Sequence, residues 1–456
     1  MKRLSVFAIC LLALTGLVSC YWLGDYNTGS LSMDFSQVQA RQPGDVVRIY
    51  LLANGLLFST EGGVPFAAEV SAGTGEDTVI KIDGLPVGPS YQALVGVGPV
   101  DQGIFRVYYY GESEEFQISP GDDVTVTTTL DYIPSFNGIY FSTDLMGKHL
   151  TGLAESGSDV YAAEASKLYL VYLNYIAPDY VVSVADSYDL AADPAEEGVS
   201  SYRVMGLSSG YFSAARMNSN NGIVPFYGGD GWNFDTTLSS ALGGKKEIEE
   251  SGVFSVSVEY ALFFRRTDGI GGVHTIGGIQ QPWINLDVNG VRDMVVSNNN
   301  AYFATEGGAF ALPPAFLLDS TPTLAKYQMN FSAPDEILSL GYQPPTVGPI
   351  TLFMGTTNGV WEAQVTNESP VTLGILTQIP ETVGQTINFI DISSVWPDAN
   401  QAYLSRYFLY IRKSGTVYKI PFFAVAPGRV TGMTWSSDTK LYISGTEGLS
   451  VLYVGS

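Results

Sequence analysis

The chain of 456 residues is short of the side chains on which most metal and proton-transfer chemistry depends, with two cysteines and two histidines. Histidine-based metal sites and proton shuttles therefore have little to draw on. Basic residues are scarce as well: 22 Lys and Arg stand against 45 Asp and Glu, a formal net charge of −23. Such a surface repels phosphate backbones and anionic headgroups, which argues against nucleic acid as a partner and against polybasic docking to membranes. Charged residues are 15% of the chain, below the usual ~25%, and long helical periodicity is missing. No uninterrupted apolar stretch reaches the ~20 residues that a membrane-spanning helix needs. What the chain has instead is 46% hydrophobic residues, 50 Gly and 28 Tyr, the composition of a folded, turn-rich protein. Its length fits about three domains, or two if one is a large all-β unit.

Lys2 and Arg3 precede an apolar run from Leu4 to Leu14, the pattern of a secretory signal. Leu17-Val18-Ser19-Cys20 follows, and this resembles the lipobox of bacterial lipoproteins. The resemblance implies that the Cys20 thiol takes a diacylglyceryl group, that the peptide bond before it is cut, and that the freed amine is acylated. Three acyl chains, at ~0.8 kcal/mol per buried CH₂, hold a protein to a membrane far more firmly than one. Cys10 leaves with the leader, so no intramolecular disulfide, thiolate metal cluster or cysteine nucleophile is expected. Tyr21 rather than Asp follows the cysteine, and by the same analogy this favours the outer membrane. The alternatives are an ordinary secreted protein with a cysteine near its cut site, or an uncleaved anchor. The expected order is a signal peptide over 1–19, a lipidated tether over 20–30, a β-sandwich over 31–133 and a β-propeller-like domain over 134–456.

The sandwich rests on short β-branched and aromatic runs at Val46–Leu52, Thr78–Ile82, Tyr91–Val97, Ile104–Tyr110, Glu115–Ile118 and Asp123–Leu130. Turn formers divide them: Asn54-Gly55, Asp83-Gly84, Pro86 with Gly88-Pro89, and Pro120-Gly121. Val124, Val126, Thr128 and Leu130 share one strand face, so one side is buried and one is wet. Ile82-Asp83-Gly84-Leu85-Pro86-Val87-Gly88, followed by an aromatic strand, resembles the Ig-like or prealbumin-like modules of secreted bacterial proteins; this implies fold alone.

Beyond Pro134 longer units recur, near His149–Tyr172, Tyr202–Phe226, Val253–Thr275, Val291–Leu312, Ile350–Val365, Ile387–Phe422 and Val430–Val454. Each leads from an apolar strand through a polar turn to an aromatic strand, then Gly and a further strand. Ala301-Tyr302-Phe303-Ala304 with Gly307-Gly308-Ala309-Phe310, and Lys440-Leu441-Tyr442-Ile443 with Gly448-Leu449-Ser450-Val451, are the clearest copies. Gly359-Val360-Trp361 holds the corresponding place in the shortest unit. Their spacing falls near the ~40–50 residues of propeller blades. The region resembles a divergent β-propeller of seven blades, with six also compatible and further sandwiches as the competing reading. The last unit offers three strands, and Asn137–Ser142 could supply its fourth and close the ring. Long helices are not expected; only Asp186–Glu197 and Ser240–Glu250 could hold a short helical piece.

Four constellations invite a chemical reading. Gly206-Leu207-Ser208-Ser209-Gly210 fits G-x-S-x-G, but no βα-alternating stretch accompanies it, so a β-turn between strands is expected. Gly269-Ile270-Gly271-Gly272-Val273-His274 with Gly277-Gly278 lacks the context of a phosphate loop and reads as a hairpin turn. His149 reads as a partly exposed structural residue. Of the acidic groups Asp122-Asp123, Glu196-Glu197, Glu247 with Glu249-Glu250, and Asp230 with Asp235, the last offers only three oxygens of a calcium loop and no closing Glu; the separation of a glycosidase pair is not readable from sequence, and these groups read as solvated turns. No cofactor, metal site or catalytic residue is assigned. Tyr211, Tyr227 and Trp232 are the candidate ligand-contact aromatics, because an aromatic ring with a polar handle suits sugar rings and protein surfaces alike. The expected function is a lipid-anchored cell-envelope binding or scaffold protein, membrane-bound through Cys20, presenting its propeller to a protein or glycan partner. The competing expectation is a carbohydrate-active enzyme using carboxylates on the propeller face. Convergence of carboxylates from different blades beside Tyr or Trp would favour the enzyme.

Overall fold

The computed structural model describes residues 28–454 apart from 35–43, 59–65, 72–78, 102–103, 133–137, 157–158, 177–178, 190–200, 209–210, 218–222, 228–232, 235–247, 257–258, 267–268, 277–278, 298–299, 330–334, 344–348, 369, 394–398, 426–427 and 438; between 201 and 262 the description is of the backbone. The chain divides into two compact units after Pro134. Among the described residues no helix is long and apolar enough to cross a membrane.

The first unit is a β-sandwich. In one sheet Thr28–Asp34 runs parallel to Asp123–Thr127 and antiparallel to Val79–Pro86. In the other, Asp45–Ala53 and Ser90–Asp101 form the central antiparallel pair, flanked by Tyr109–Glu112 and Leu56–Leu57. Side chains of alternate residues meet between the sheets, as a two-residue period requires: Leu31, Met33, Ile80 and Ile82 from one side, Val47, Ile49, Leu51, Ala93, Val95 and Val97 from the other. Val124 and Val126 pack against this core, on the face the alternation marks. Tyr91 is fully buried, stacks on Phe116 at 5.8 Å, and donates its hydroxyl to the Pro86 carbonyl at 2.8 Å, so its polar end is satisfied.

The tether expected over 20–30 overlaps the fold at its end. Residues 28–30 already belong to the first strand, and 21–27 lie outside the described residues, as does Cys20. Gly29 reads as a linker glycine but is a packing glycine: a Cβ there would stand 2.3 Å from Ile118 Cγ2 and 2.8 Å from the Asp122 carbonyl oxygen.

The second unit holds seven antiparallel sheets among the described residues, spanning 152–189, 201–234, 248–287, 291–312, 337–378, 387–421 and 430–453. The first strand of each packs beside the first strand of the next: Gly152–Ser156, Ser201–Ser208, Ile248–Val256, Val291–Val296, Ile337–Gln343, Ile387–Ile392 and Val430–Trp435, the last lying back against Gly152–Ser156. The ring closes. Gly138–Phe141 pairs antiparallel with Gly448–Tyr453 as the outer strand of the seventh sheet, Ile139 facing Leu452 and Tyr140 facing Val451. The unit is a seven-bladed β-propeller, and all seven sheets correspond to the recurring units of the sequence.

Where their side chains are described, the second strands of the blades are largely buried on both faces, since each blade is covered by its neighbours. Ala301–Thr305 and Gln401–Ser405 are buried throughout, which is why these strands read as continuous apolar runs. The turn after them is a shared device. Thr305 and Thr356 donate their hydroxyls to the carbonyls of Gly308 and Gly359, both at 2.9 Å. Gly308, Gly359 and Gly448 start third strands at φ of 120°, 103° and 140°, a region closed to most side chains.

Two sequence expectations fail here. Asp186–Asp189 and Ile248–Glu250, the described parts of the two expected helical pieces, are strand. Hydrogen bonding to adjacent strands outweighs their weak helical propensity. Among the described residues the helical turns are instead Pro314–Leu318, Leu324–Lys326, Pro380–Thr382 and Phe422–Val425; the two that begin with proline use its fixed φ at the first helical position. Gly269–Ile276 is a strand rather than a hairpin turn, paired with Glu259–Arg266 and Ile284–Asp287. Its glycines make room: a Cβ on Gly271 would fall 2.0 Å from Trp283 Cζ2, and one on Gly269 2.3 Å from the Leu286 carbonyl oxygen.

Candidate functional site

A cavity of about 500 Å³ opens inside the ring, lined by the first strands of the first, fourth, sixth and seventh blades and by Arg265 of the third. Three carboxylates from different blades reach it: Glu155, Asp293 and Asp391. Each is a single acid in a short inner strand, as in Ile387-Asn388-Phe389-Ile390-Asp391-Ile392.

Two of the three hold the ring together. Asp391 accepts the backbone N–H of Trp435 on the next blade at 2.7 Å and that of Ile392 at 3.0 Å; the Trp435 indole N–H returns a bond to the Asp391 carbonyl at 3.2 Å. Asp293 accepts the Leu340 N–H on the fifth blade at 2.6 Å. The Ser339 hydroxyl continues the chain of contacts, donating to the Ile387 carbonyl of the sixth at 3.2 Å. Bonds to an ionised carboxylate contribute about 1.5–3 kcal/mol each, and a neutral bond such as that from Ser339 about 0.5–1.5 kcal/mol.

Glu155 differs. It is half-buried, and no hydrogen-bond partner for its carboxyl is found among the described residues. Burial pushes its pKa up to about 7. Asp391 is also pushed up to about 7, by burial first, against the pull of the Trp435 N–H and with the push of the Glu155 charge. Both carboxyls therefore stand well above the usual carboxylate range, each chiefly through burial. On the rim Arg292 is engaged by Glu336 and lies 3.9 Å from Glu306.

Of the sequence candidates, Tyr211 and Tyr227 fall within the described backbone. Tyr211 and Tyr227 face one another in register on the second and third strands of the second blade, not on the first strands that ring the axis. Trp232 and Cys20 lie outside the described residues, as do Asp230, Asp235, Glu196, Glu197 and Glu247. Ser208, within the G-x-S-x-G stretch, ends one strand and pairs with Tyr211 at the start of the next, a strand-to-strand link unlike the strand-to-helix turn of a nucleophile elbow. His149 is exposed just before the first blade, and no group of potential metal ligands is found among the described residues. Asp123 accepts the Ser32 hydroxyl at 2.9 Å and pairs with Lys81 at 3.3 Å, a structural role within the sandwich. Glu155, Asp293 and Asp391 escape sequence reasoning because they share no spacing motif. The available signal is a single acid in a short inner strand.

No protein-family model and no curated protein sequence matches the chain. Among solved structures it is similar to YCF48 bound to D1 peptide, with 12% identity, 70% of this chain and 94% of that one covered, and a TM-score of 0.45. It is also similar to a streptogramin B lyase, at 13% identity over 70% and 98% with a TM-score of 0.45. A third likeness is to U3-55K, at 8% identity over 69% and 99% with a TM-score of 0.45. The propeller assignment rests on the closed ring of strands, and none of these likenesses bears on activity or partner.

Proposed function

We propose that the chain is a lipid-anchored binding protein of the cell envelope, held at the outer membrane through Cys20, which presents its propeller to a protein or glycan partner. The anchor is supported by the Lys2-Arg3 leader and by Leu17-Val18-Ser19-Cys20. The binding role is supported by how the central cavity uses its acids. Asp293 and Asp391 hold the next blade by its backbone. Carboxylates so engaged are poor candidates for working on a sugar ring, which calls for acids free to face the scissile bond.

Phase separation in detergent together with capture from membranes tests this reading. The native protein partitions into the detergent phase and retains membrane partners, whereas Cys20→Ala moves to the aqueous phase. A mature amino terminus without acyl chains in mass spectrometry overturns the anchor.

The carbohydrate-active alternative keeps one observation in its favour, the Glu155 and Asp391 pair held near pKa 7, where a carboxylic acid can donate a proton at neutral pH. Turnover of a glycan that is lost in Glu155→Gln, with folding intact, would establish it over the binding reading.

A further inference from the structure

A groove of about 660 Å³ lies between the fifth and sixth blades and shares no lining residue with the central cavity. Its polar walls are Gln343, Glu362, Gln364 and Thr366 on the fifth blade, with Gln401 and Arg412 on the sixth. Two bridges fix the distance between those walls. Arg412 donates to Glu362 at 2.7 Å, and the Gln401 amide donates to Gln343 at 3.2 Å. Side-chain exposures of 28% for Arg412 and 25% for Glu362 leave both within reach of a ligand.

The chemistry of these walls selects a class of ligand. Charge cancels within the ion pair, so an ionic ligand meets no unopposed charge there. What the groove offers is acceptors beside donors: carboxylate and amide oxygens next to guanidinium and amide N–H groups. A hydroxyl uses both at once, accepting from Arg412 while donating to Glu362, and adjacent hydroxyls extend the pattern to the Gln364 amide and, as donors, to the Thr366 oxygen, whose own proton goes to the Thr372 carbonyl at 3.1 Å. Ile375, 90% exposed on the rim, adds an apolar contact suited to the C–H face of a sugar ring.

An extended peptide fits less well, since it needs an open strand edge or apolar side-chain pockets. Gly359–Glu368, the strand carrying Glu362 and Gln364, is paired on one side with Thr351–Thr356 and on the other with Val371–Leu373 and Thr377–Gln378. The Gln364 carbonyl, in the gap between those two, accepts the Gly374 N–H at 2.8 Å. Recognition in the groove therefore falls to side chains.

We propose that the groove between the fifth and sixth blades binds a neutral, polyhydroxylated ligand, a segment of uncharged glycan. The proposal rests on the reading of the chain as a binding protein and is independent of its lipid anchor. Titration calorimetry on the full chain tests it with maltotetraose, cellotetraose, mannotetraose and chitotetraose as probes, and tetragalacturonate and a Gly-Ser decapeptide as comparisons. At least one neutral tetrasaccharide binds, and tetragalacturonate binds about tenfold more weakly or not at all. Gln364→Ala/Thr366→Ala, at exposed positions, weakens binding by about tenfold while thermal unfolding is unchanged; Glu362→Gln, which breaks the ion pair, weakens it as well. The proposal is overturned if no neutral tetrasaccharide binds at millimolar concentration, if neither variant changes the affinity, or if tetragalacturonate or the decapeptide is preferred. Saccharide failure with membrane capture intact removes the groove site alone, whereas loss of capture removes the wider binding reading.

Discussion

Glu155 shows how a single side chain can tie the stability of the ring to pH. Its carboxyl stands near pKa 7 in the fold against 4.5 when unperturbed, and Asp391 near 7 against 3.8. The native state therefore binds more protons than the unfolded chain between about pH 4 and 7. The stability these two groups contribute is fully present below their unfolded pKa values and is lost as pH rises through 7. Glu155→Gln removes one of them without breaking a known hydrogen bond. It is expected to raise the melting temperature at pH 8, by an amount corresponding to about 1–3 kcal/mol, and to change it little at pH 4. Equal gains at both pH values in differential scanning calorimetry would show that the effect is not electrostatic. Little of this was legible beforehand. Asp391 stands out as an acid within an apolar strand, but Trp435, whose amide it accepts, lies 44 residues further on and meets it only because the ring places the sixth and seventh blades side by side.

At the scale of the element, the same residue type has opposite meanings. Gly308 and Gly359 are turn glycines, as the recurring units imply, and the Thr hydroxyls beside them close the turn. Gly271 sits in a strand and is there for Trp283, whose ring occupies the space of a side chain. A glycine-rich stretch does not reveal which of these it is, because the difference lies in a residue twelve positions away, so the run from Gly269 reads as a turn and folds as a strand. Gly271→Ala is expected to destabilise the propeller by about 1–3 kcal/mol through overpacking. Gly307→Ala, where the nearest atom to a new Cβ is Thr305 Oγ1 at 3.7 Å, should stay within about 0.5 kcal/mol of the parent. Urea unfolding of both variants checks the contrast, and equal losses would contradict it. The blades themselves were legible because their second strands are buried on two sides and announce this as apolar runs. The acidic loops and the aromatics Tyr211, Tyr227 and Trp232 carried no comparable signal, since turn, packing and contact roles draw on the same residue types.

For the molecule as a whole, the closing strand decides how the ring coheres. Gly138–Phe141 gives the seventh blade its outer strand, and the seam to the first blade is fastened further by the Tyr442 hydroxyl, which accepts the Leu173 N–H at 2.9 Å across 269 residues of sequence. A chain begun at Ser142 lacks that strand and leaves Gly448–Tyr453 as a bare edge. Its propeller should melt at lower temperature or self-associate, and a synthetic peptide of residues 137–142 should partly restore the parent behaviour. Unchanged melting and a monomeric elution profile would show that closure is dispensable. The position of this strand also sets a timetable for biosynthesis. The stretch that latches the wheel leaves the ribosome before any complete blade and must wait, unpaired, until the carboxyl-terminal hairpin follows it. A nascent chain therefore cannot lock prematurely, and a product cut short before Gly448 has no partner for the latching strand.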